Sequence, residues 1–373
     1  MKKNQPKKKI LHVSYGGLGF GGVSTVIFSI VEPLAEEYEF GCVVFQTRGE
    51  REEKFTALGG RLHRLPCYPE NGKRSAFELL TRPFRLYFGI RKICKEYGYD
   101  IIHVHNGAEG GICLVGAKAA GVKMRIAHSH NAPSPKRKSF LKLFREKWGW
   151  SKTRKYATHW VGCSSLAASS VFGDAPYQVI VNAADLSRFS LSRRIPHEGL
   201  RAIHVGRYCY QKNQSFVLRV FARLLSADPN GKLELVGFGE DEEKLKHEIE
   251  ALGLSHAVSL VPGKGADVAA HLAEADVMIF PSNFEGFGIA LIEAQAMGVH
   301  CFVSEAIQPE ADAGLMTSLT LADGEEAWAN AILAHVKENQ TVDGERLTVA
   351  LSRFSKEAVA EEYRMLYGKG ALN

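Results

Sequence analysis

Two doubly wound α/β domains, each on a parallel sheet, are what this 373-residue chain predicts, and three observations carry the prediction. Short apolar runs of strand length alternate with longer stretches of helical period. The alternation restarts after Gly199. The length, with 45% apolar residues, also exceeds the ~250–300 residues that one core usually organises.

In the first domain, residues 1–190, Ile10 to Ser14 reads as a strand, Gly22 to Glu37 as a helix, Gly41 to Phe45 as a strand and Phe77 to Tyr97 as a helix. Asp100 to His105, Arg125 to His128, Trp160 to Cys163 and Tyr177 to Asn182 read as further strands. The stretch Ser190 to Gly199 is polar, lacks periodicity and holds Pro196, which marks a boundary. In the second domain, residues 191–353, Leu200 to Val205 and Lys232 to Val236 read as strands around a helix from Gln214 to Leu225. Val277 to Phe280, closed by Pro281, is a buried strand, and Ile289 to Met297 continues as a helix. The closing segment, residues 354–373, carries a helix from Ser355 to Tyr367 with an apolar stripe of Ala358, Val359, Tyr363, Leu366 and Tyr367. Ligands of doubly wound sheets bind beyond the carboxyl ends of the strands, so the expected site is interdomain.

Seven cysteines, an odd number without a Cys-x-x-Cys pair, argue against a disulfide framework and a structural zinc. No apolar run approaches the ~20 residues of a membrane span, and Met1 to Lys9 is basic without a long apolar segment behind it. A cytoplasmic protein without signal peptide or span is expected. The net charge of +6 is uneven: residues 1–190 hold 30 Lys/Arg against 15 Asp/Glu, the remainder 17 against 26. Lys136 to Lys155 holds nine basic residues and one acid, interleaved with Phe140, Leu141, Leu143, Phe144, Trp148 and Trp150. Such a segment suits the anionic inner face of the plasma membrane. A solvated helix with its aromatics in the core is the alternative reading. No nucleic-acid module accompanies the charge, so no nucleic-acid partner is expected.

The run Glu285-Gly-Phe287-Gly288-Ile289-Ala-Leu-Ile-Glu293 places two carboxylates around a strand-to-helix loop, with Glu293 about two turns into the helix. Helix N-termini favour anions, and flanking carboxylates can accept hydrogen bonds from sugar hydroxyls, the composition of a sugar-nucleotide site. Arg207 and Lys212 sit five apart on the loop after the Val205 strand, where two cations can meet one diphosphate. Gly237-Phe-Gly239 follows a strand but is a weak signal alone. Gly17-x-Gly19-x-x-Gly22 formally fits a dinucleotide fingerprint, yet the second strand ends in Phe45-Gln-Thr-Arg48 without the required acid. His103 and His105 share a strand at i, i+2 with no Cys or carboxylate cluster nearby in sequence, and read as packing or rim residues. No metal site is expected.

The segment from Phe280-Pro-Ser through Glu293 to Ala294-Gln-Ala-Met-Gly298 resembles the signature of the retaining group 1 (family 4) glycosyltransferases, and the resemblance extends from Gly16 to Tyr367. It implies the GT-B fold, with an acceptor-side first domain, a donor-binding second domain and a final helix returning to the first. It implies Arg207 and Lys212 on the donor diphosphate, Glu285 on the donor sugar, Glu293 on the ribose, and contacts from Gly21, Gly22, Gly237, Gly239, Phe287, Gly288 and Ile289. Backbone near Val261-Pro-Gly263-Lys264 would hold the base, and His128, at the end of its strand, would touch the sugar, with His130 competing for that role. Ile307-Gln-Pro-Glu310 and Ala127-His-Ser-His-Asn131 look most like exopolysaccharide and capsule enzymes. A UDP-sugar donor, a lipid-linked or oligosaccharide acceptor and front-face retention follow as expectations of the resemblance. No Asp-x-Asp pair occurs, so metal-independent transfer without a cofactor is expected. Asn182-Ala-Ala-Asp185 departs from the family's Asn-Gly-Val-Asp and bears on a local turn. A nucleotide-sugar epimerase of similar fold and a catalytically silent sugar-nucleotide or carbohydrate-binding module stay open.

Overall fold

A computed structural model describes residues 6–14, 17–19, 21–45, 49–65, 76–105, 107–133, 140–193, 195, 197–263, 266–338 and 341–369. Gly16, Gln46 to Arg48, Lys136 to Ser139, Arg194, Pro196 and Lys264, each used in reading the sequence, lie outside them, as do the side chains of Phe77, Leu141 and Lys142. The chain divides into two units. The first takes Met1–Asn131, Lys136–Ala183 and Lys356–Asn373, and the second takes Ala132–Pro135 and Ala184–Ser355.

The first unit runs β1 (Lys9–Val13), α1 (Gly22–Leu34), β2 (Glu39–Val44), α2 (Glu52–Ala57), β3 (Arg61–Arg64), α3 (Ala76–Tyr97), β4 (Ile101–Val104), α4 (Gly110–Ala119), β5 (Met124–Ser129), α5 (Phe140–Tyr156), β6 (His159–Gly162), α6 (Ser165–Phe172) and β7 (Tyr177–Val179). Its strands form one parallel sheet in the order β3-β2-β1-β4-β5-β6-β7. Strand residues alternate between two cores. Ile10, Ile101 and Ile126 face one core, with Val26, Ile27 and Ile30 of α1. Leu11, Val13, Ile102 and Val104 face the other, with Leu86 and Ile90 of α3 and Leu114 of α4. A strand buried on both faces reads as a continuous apolar run, which is why these strands are visible in the sequence.

The second unit runs β8 (Arg201–Val205), α7 (Gln214–Ala227), β9 (Lys232–Gly237), α8 (Glu242–Ala251), β10 (Val258–Pro262), α9 (Val268–Ala273), β11 (Val277–Phe280), α10 (Ile289–Ala296), β12 (His300–Ser304), β13 (Met316–Leu319), α11 (Gly324–Glu338) and α12 (Gly344–Leu351). Its parallel sheet is ordered β10-β9-β8-β11-β12-β13. Trp328 of α11 is fully buried, edge-on to Phe216 of α7 with ring centroids 5.2 Å apart, and donates from Nε1 to Thr320 O at 3.0 Å. That bond satisfies the indole while its rings fill the core.

The chain's last helix, α13 (Lys356–Gly368), belongs to the first unit, where it packs on α1. It buries Val359, Ala360, Tyr363, Leu366 and Tyr367. Ala360 takes the place in the stripe that the sequence pattern gave to Ala358, because the true period brings 359, 360, 363, 366 and 367 to one face. Tyr367 OH meets His103 Nδ1 at 2.8 Å, and Lys356 Nζ reaches Glu32 Oε2 at 3.1 Å.

Each unit carries a large buried aromatic unique to it, so the two can be melted apart. Tyr367→Ala should cost the first unit about 3–5 kcal/mol, the usual range for emptying a buried aromatic site, and Trp328→Ala the second unit a similar amount. Chemical denaturation should show each variant advancing a different transition; both advancing the same one would contradict the division.

Candidate functional site

Strand order reverses between β8 and β11 in the second sheet. Ligand crevices of open α/β sheets form where winding reverses. The loop leaving β8 carries Arg207 and Lys212, and the loop leaving β11 carries Glu285. Three hydrogen bonds clip these loops together: Asn283 N to Gln211 O at 2.8 Å, Asn283 Nδ2 to Tyr210 O at 2.6 Å, and Asn213 Nδ2 to Pro281 O at 3.1 Å. Asn213, at φ +56°, makes the left-handed turn into α7, a conformation asparagine tolerates better than most.

The clip sets Lys212 against Glu285. Their Nζ and Oε2 lie 2.5 Å apart with both side chains largely buried, and Gln211 Nε2 donates to the other carboxylate oxygen at 3.3 Å. The ammonium also lies 4.3 Å from the centroid of the Phe280 ring. A buried pair of this kind is costly to break by removing one partner. Arg207 does not join it. Its exposed guanidinium pairs with the exposed Glu240 at 2.8 Å, a contact worth at most ~1 kcal/mol, so exchange for a phosphate oxygen costs little.

Gly288 caps α10 at φ +88°, a left-handed conformation that favours glycine, and an added Cβ there would stand 3.7 Å from Glu285 Cγ. Glu285 thus sits at the N-terminus of α10, with Ile289 its first residue. Phe287 is buried as a whole residue and its ring packs on Phe354, centroids 5.9 Å apart, so its side chain serves the core. Gly237, Gly239 and Gly263 have a packing reason of their own. An added Cβ would meet Gly206 O at 2.0 Å, Tyr208 O at 2.1 Å and Gly237 Cα at 2.8 Å respectively. Glu293 lies one turn into α10 rather than the two expected, because the four-residue step from Ile289 makes a single turn of about 3.6 residues. Burial pushes its carboxyl up to about 7, with Arg188 opposing and Asp185 reinforcing the shift.

In the first unit, Gly21 and Gly22 lead into α1, exposed, and a Cβ added at either meets nothing within 4 Å. Packing gives no reason for glycine at these two positions. The carboxyl ends of β1, β4 and β5, where that sheet reverses, carry His12, His103, His105, His128 and His130. His128 is buried and its Nδ1 meets His103 Nε2 at 3.1 Å, whereas His130 is partly exposed. One ring nitrogen from each of His12, His103 and His105, and likewise from His105, His128 and His130, lies within 4.8 Å of the others. Reading the sequence missed this cluster. The signal was present as Ile10-x-His12, Ile101-x-His103-x-His105 and Ile126-x-His128-x-His130, each placing histidines on the face of its isoleucine, but strand order is needed to bring them together.

The segment Lys136 to Lys155 largely forms α5, and its aromatics Phe140, Phe144 and Trp148 are exposed, with Leu143. This departs from the alternative that put them in the core; Trp150 alone of the helix's described large aromatics at those positions packs there. On α3, Leu80, Phe84 and Phe88 are also exposed at the same four-residue spacing. Glu109, at the start of α4, pairs with Arg82 of α3 at 2.6 Å and Arg145 of α5 at 3.8 Å, tying the two helices together. No helix among the described residues is long and apolar enough to cross a membrane.

Two protein families match the chain in tandem: Glycosyltransferase Family 4 over residues 20–188 and Glycosyl transferases group 1 over residues 189–339. EpsF of Bacillus subtilis, which carries the name of a glycosyltransferase, is 27% identical over 354 residues, 88% of each chain. The capsular polysaccharide biosynthesis glycosyltransferase CapH of Staphylococcus aureus is 23% identical over 77% of this chain and 78% of its own. The Escherichia coli UDP-Gal:alpha-D-GlcNAc-diphosphoundecaprenol alpha-1,3-galactosyltransferase is 26% identical over 60% of this chain and 62% of its own. In fold, the solved structure of Anabaena HepE in complex with UDP-glucose matches with a TM-score of 0.77 at 18% identity, covering 97% of this chain and 100% of that one.

Glu293 makes stability depend on pH. Its folded carboxyl titrates near 7, against ~4.3 for a free glutamate, so between these values the folded chain keeps a proton the unfolded chain has lost. Stability therefore falls as pH rises through that window and stays lowered above it. Glu293→Gln should melt higher than the parent at pH 8 and alike at pH 4; a difference independent of pH would mean that the carboxyl titrates normally.

Proposed function

The chain belongs to the family 4 (group 1) glycosyltransferases of GT-B fold, and on that premise we propose that it moves a sugar, with retention of anomeric configuration, from a UDP-sugar to a hydroxyl of a lipid-linked glycan. The observation that carries the site assignment is the buried Lys212–Glu285 pair where β8 and β11 reverse the sheet. Lys212, joined by Arg207 swinging from Glu240, takes up the charge that grows on the diphosphate as the glycosidic bond breaks. Glu285, held by Lys212 and Gln211, orients the donor sugar, and Glu293 accepts hydrogen bonds from the ribose hydroxyls. The amides at the start of α10 face the phosphates. The departing phosphate oxygen removes the acceptor proton on the same face it leaves, which accounts for retention without a protein nucleophile. Two cations supply the charge stabilisation, so transfer proceeds without a divalent ion.

The UDP donor is supported by the names of relatives: HepE is solved with UDP-glucose, and the Escherichia coli enzyme is named for UDP-Gal and a diphosphoundecaprenol-linked acceptor. Such an acceptor lies in a membrane. The exposed stripes of α3 and α5 suit its anionic cytoplasmic face: Phe84 is 66% and Phe140 86% exposed, on helices that also carry Arg85, Arg145, Lys147 and Lys152. Aromatics enter the headgroup region while each nearby cation adds about 1 kcal/mol.

Glu285→Gln and Lys212→Met should each lower transfer from a UDP-sugar roughly 10²–10³-fold, the loss typical of removing one preorganised charge contact, in buffer containing EDTA. Normal turnover by either variant would remove that residue from the mechanism, and a product of inverted configuration by NMR would overturn retention. Separately, sedimentation with phosphatidylglycerol vesicles should capture the chain at low salt and release it at high salt. Phe84→Ser/Phe144→Ser should weaken capture about tenfold or more, the loss of some apolar burial; equal binding to neutral vesicles would refute the electrostatic part.

A further inference from the structure

Five histidines of the first unit, His12, His103, His105, His128 and His130, form two hydrogen-bonded rows. His130 Nε2 meets His105 Nδ1 at 2.8 Å, and His105 Nε2 meets His12 Nδ1 at 2.9 Å. His128 Nδ1 meets His103 Nε2 at 3.1 Å, and His103 Nδ1 meets Tyr367 OH at 2.8 Å. The rows lie against each other, with the rings of His128 and His130 3.9 Å apart. His128 Nε2 is buried and has no hydrogen-bond partner among the described residues. An unsatisfied buried nitrogen is costly.

We propose that His105, His128 and His130 form a binding site for a borderline first-row transition-metal ion, with Zn²⁺ as its reference occupant. One nitrogen from each lies within 4.8 Å of the others. The hydrogen bonds identify which: His128 Nδ1 is engaged by His103, which leaves Nε2, and the ion replaces the proton shared by His105 Nδ1 and His130 Nε2. The opposite nitrogens of His128 and His105 then donate to His103 Nε2 and His12 Nδ1, the outer support that metal-bound imidazoles normally have. Partly exposed His130 gives the ion a way in. The overlapping trio His12, His103 and His105 is buried throughout and lacks such an entrance. Three neutral nitrogens leave a fourth position open and the ion's charge uncompensated, so water, hydroxide or another small anion completes the shell. Imidazole ligands select Zn²⁺, Co²⁺, Ni²⁺ and Cu²⁺ over Mg²⁺. Neither Lys212 nor Glu285 takes part, so binding is read without reference to transfer.

The test is calorimetric titration of the EDTA-treated, desalted full chain with Zn²⁺, with Co²⁺ absorption spectra in parallel and Mg²⁺ as control. One Zn²⁺ per chain, a raised melting temperature and intense visible Co²⁺ bands of a four-coordinate site are expected, with no response to Mg²⁺. His130→Gln, at the partly exposed edge, should weaken Zn²⁺ binding at least roughly tenfold while keeping the metal-free melting temperature. His335→Gln, which disrupts the His300–His335 pair with ring centroids 4.0 Å apart, should leave binding unchanged. Should the buried variant His105→Gln fail to fold, His130→Gln decides alone. Absence of saturable Zn²⁺ binding, or binding that survives His130→Gln, overturns the proposal.

Discussion

In a parallel sheet every strand delivers its carboxyl end to the same edge, and where the winding reverses, neighbouring connections leave to opposite sides and the edge there stays uncovered. This chain meets that constraint twice, between β1 and β4 and between β8 and β11. The polar side chains that matter gather at those reversals. Lys212 and Glu285 come together at one because their strands are neighbours and their loops are clipped by Asn213 and Asn283. The histidines come together at the other because His12 and His103 are paired in register.

Charge is handled differently at the two edges. The second unit buries an ammonium beside a carboxylate, so each charge compensates the other's desolvation. The first unit buries imidazoles, which give up their charge instead: burial drives His12 and His130 down to about 3. Glu293 follows the imidazoles, since burial pushes its carboxyl up to about 7 and favours the uncharged form. It is held near a helix start in surroundings that disfavour its ionised form, a local cost typical of groups kept for binding.

How much of this was legible beforehand depended on whether the signal was local. The strand Val277–Phe280 and the helix behind it were visible because an apolar run, a proline and good helix formers follow one another within twenty residues or so of sequence. Helix α4 was not, since it opens on Gly110-Gly111. Gly111 is demanded by tertiary packing, where a Cβ would meet Gly149 O at 2.4 Å. The spacing of Arg207 and Lys212 placed both on one loop, but their separate pairing with Glu240 and Glu285 follows from residues distant in sequence. Phe287 lay inside a recognisable signature, yet its ring serves the core through Phe354. The family resemblance supplied roles that local pattern could not, and strand order supplied the histidine cluster that neither contained.

The final helix has a consequence for how the chain is made. The face of the first sheet carrying Ile10, Ile101 and Ile126 is completed by Val359, Tyr363 and Tyr367, residues translated after all of β8 to α12. Chains generally fold domain by domain from the N-terminus during synthesis. Here the whole second unit is translated before the last helix of the first. The unit that is begun first is therefore closed last, and its apolar face needs shelter for the time it takes to translate the other.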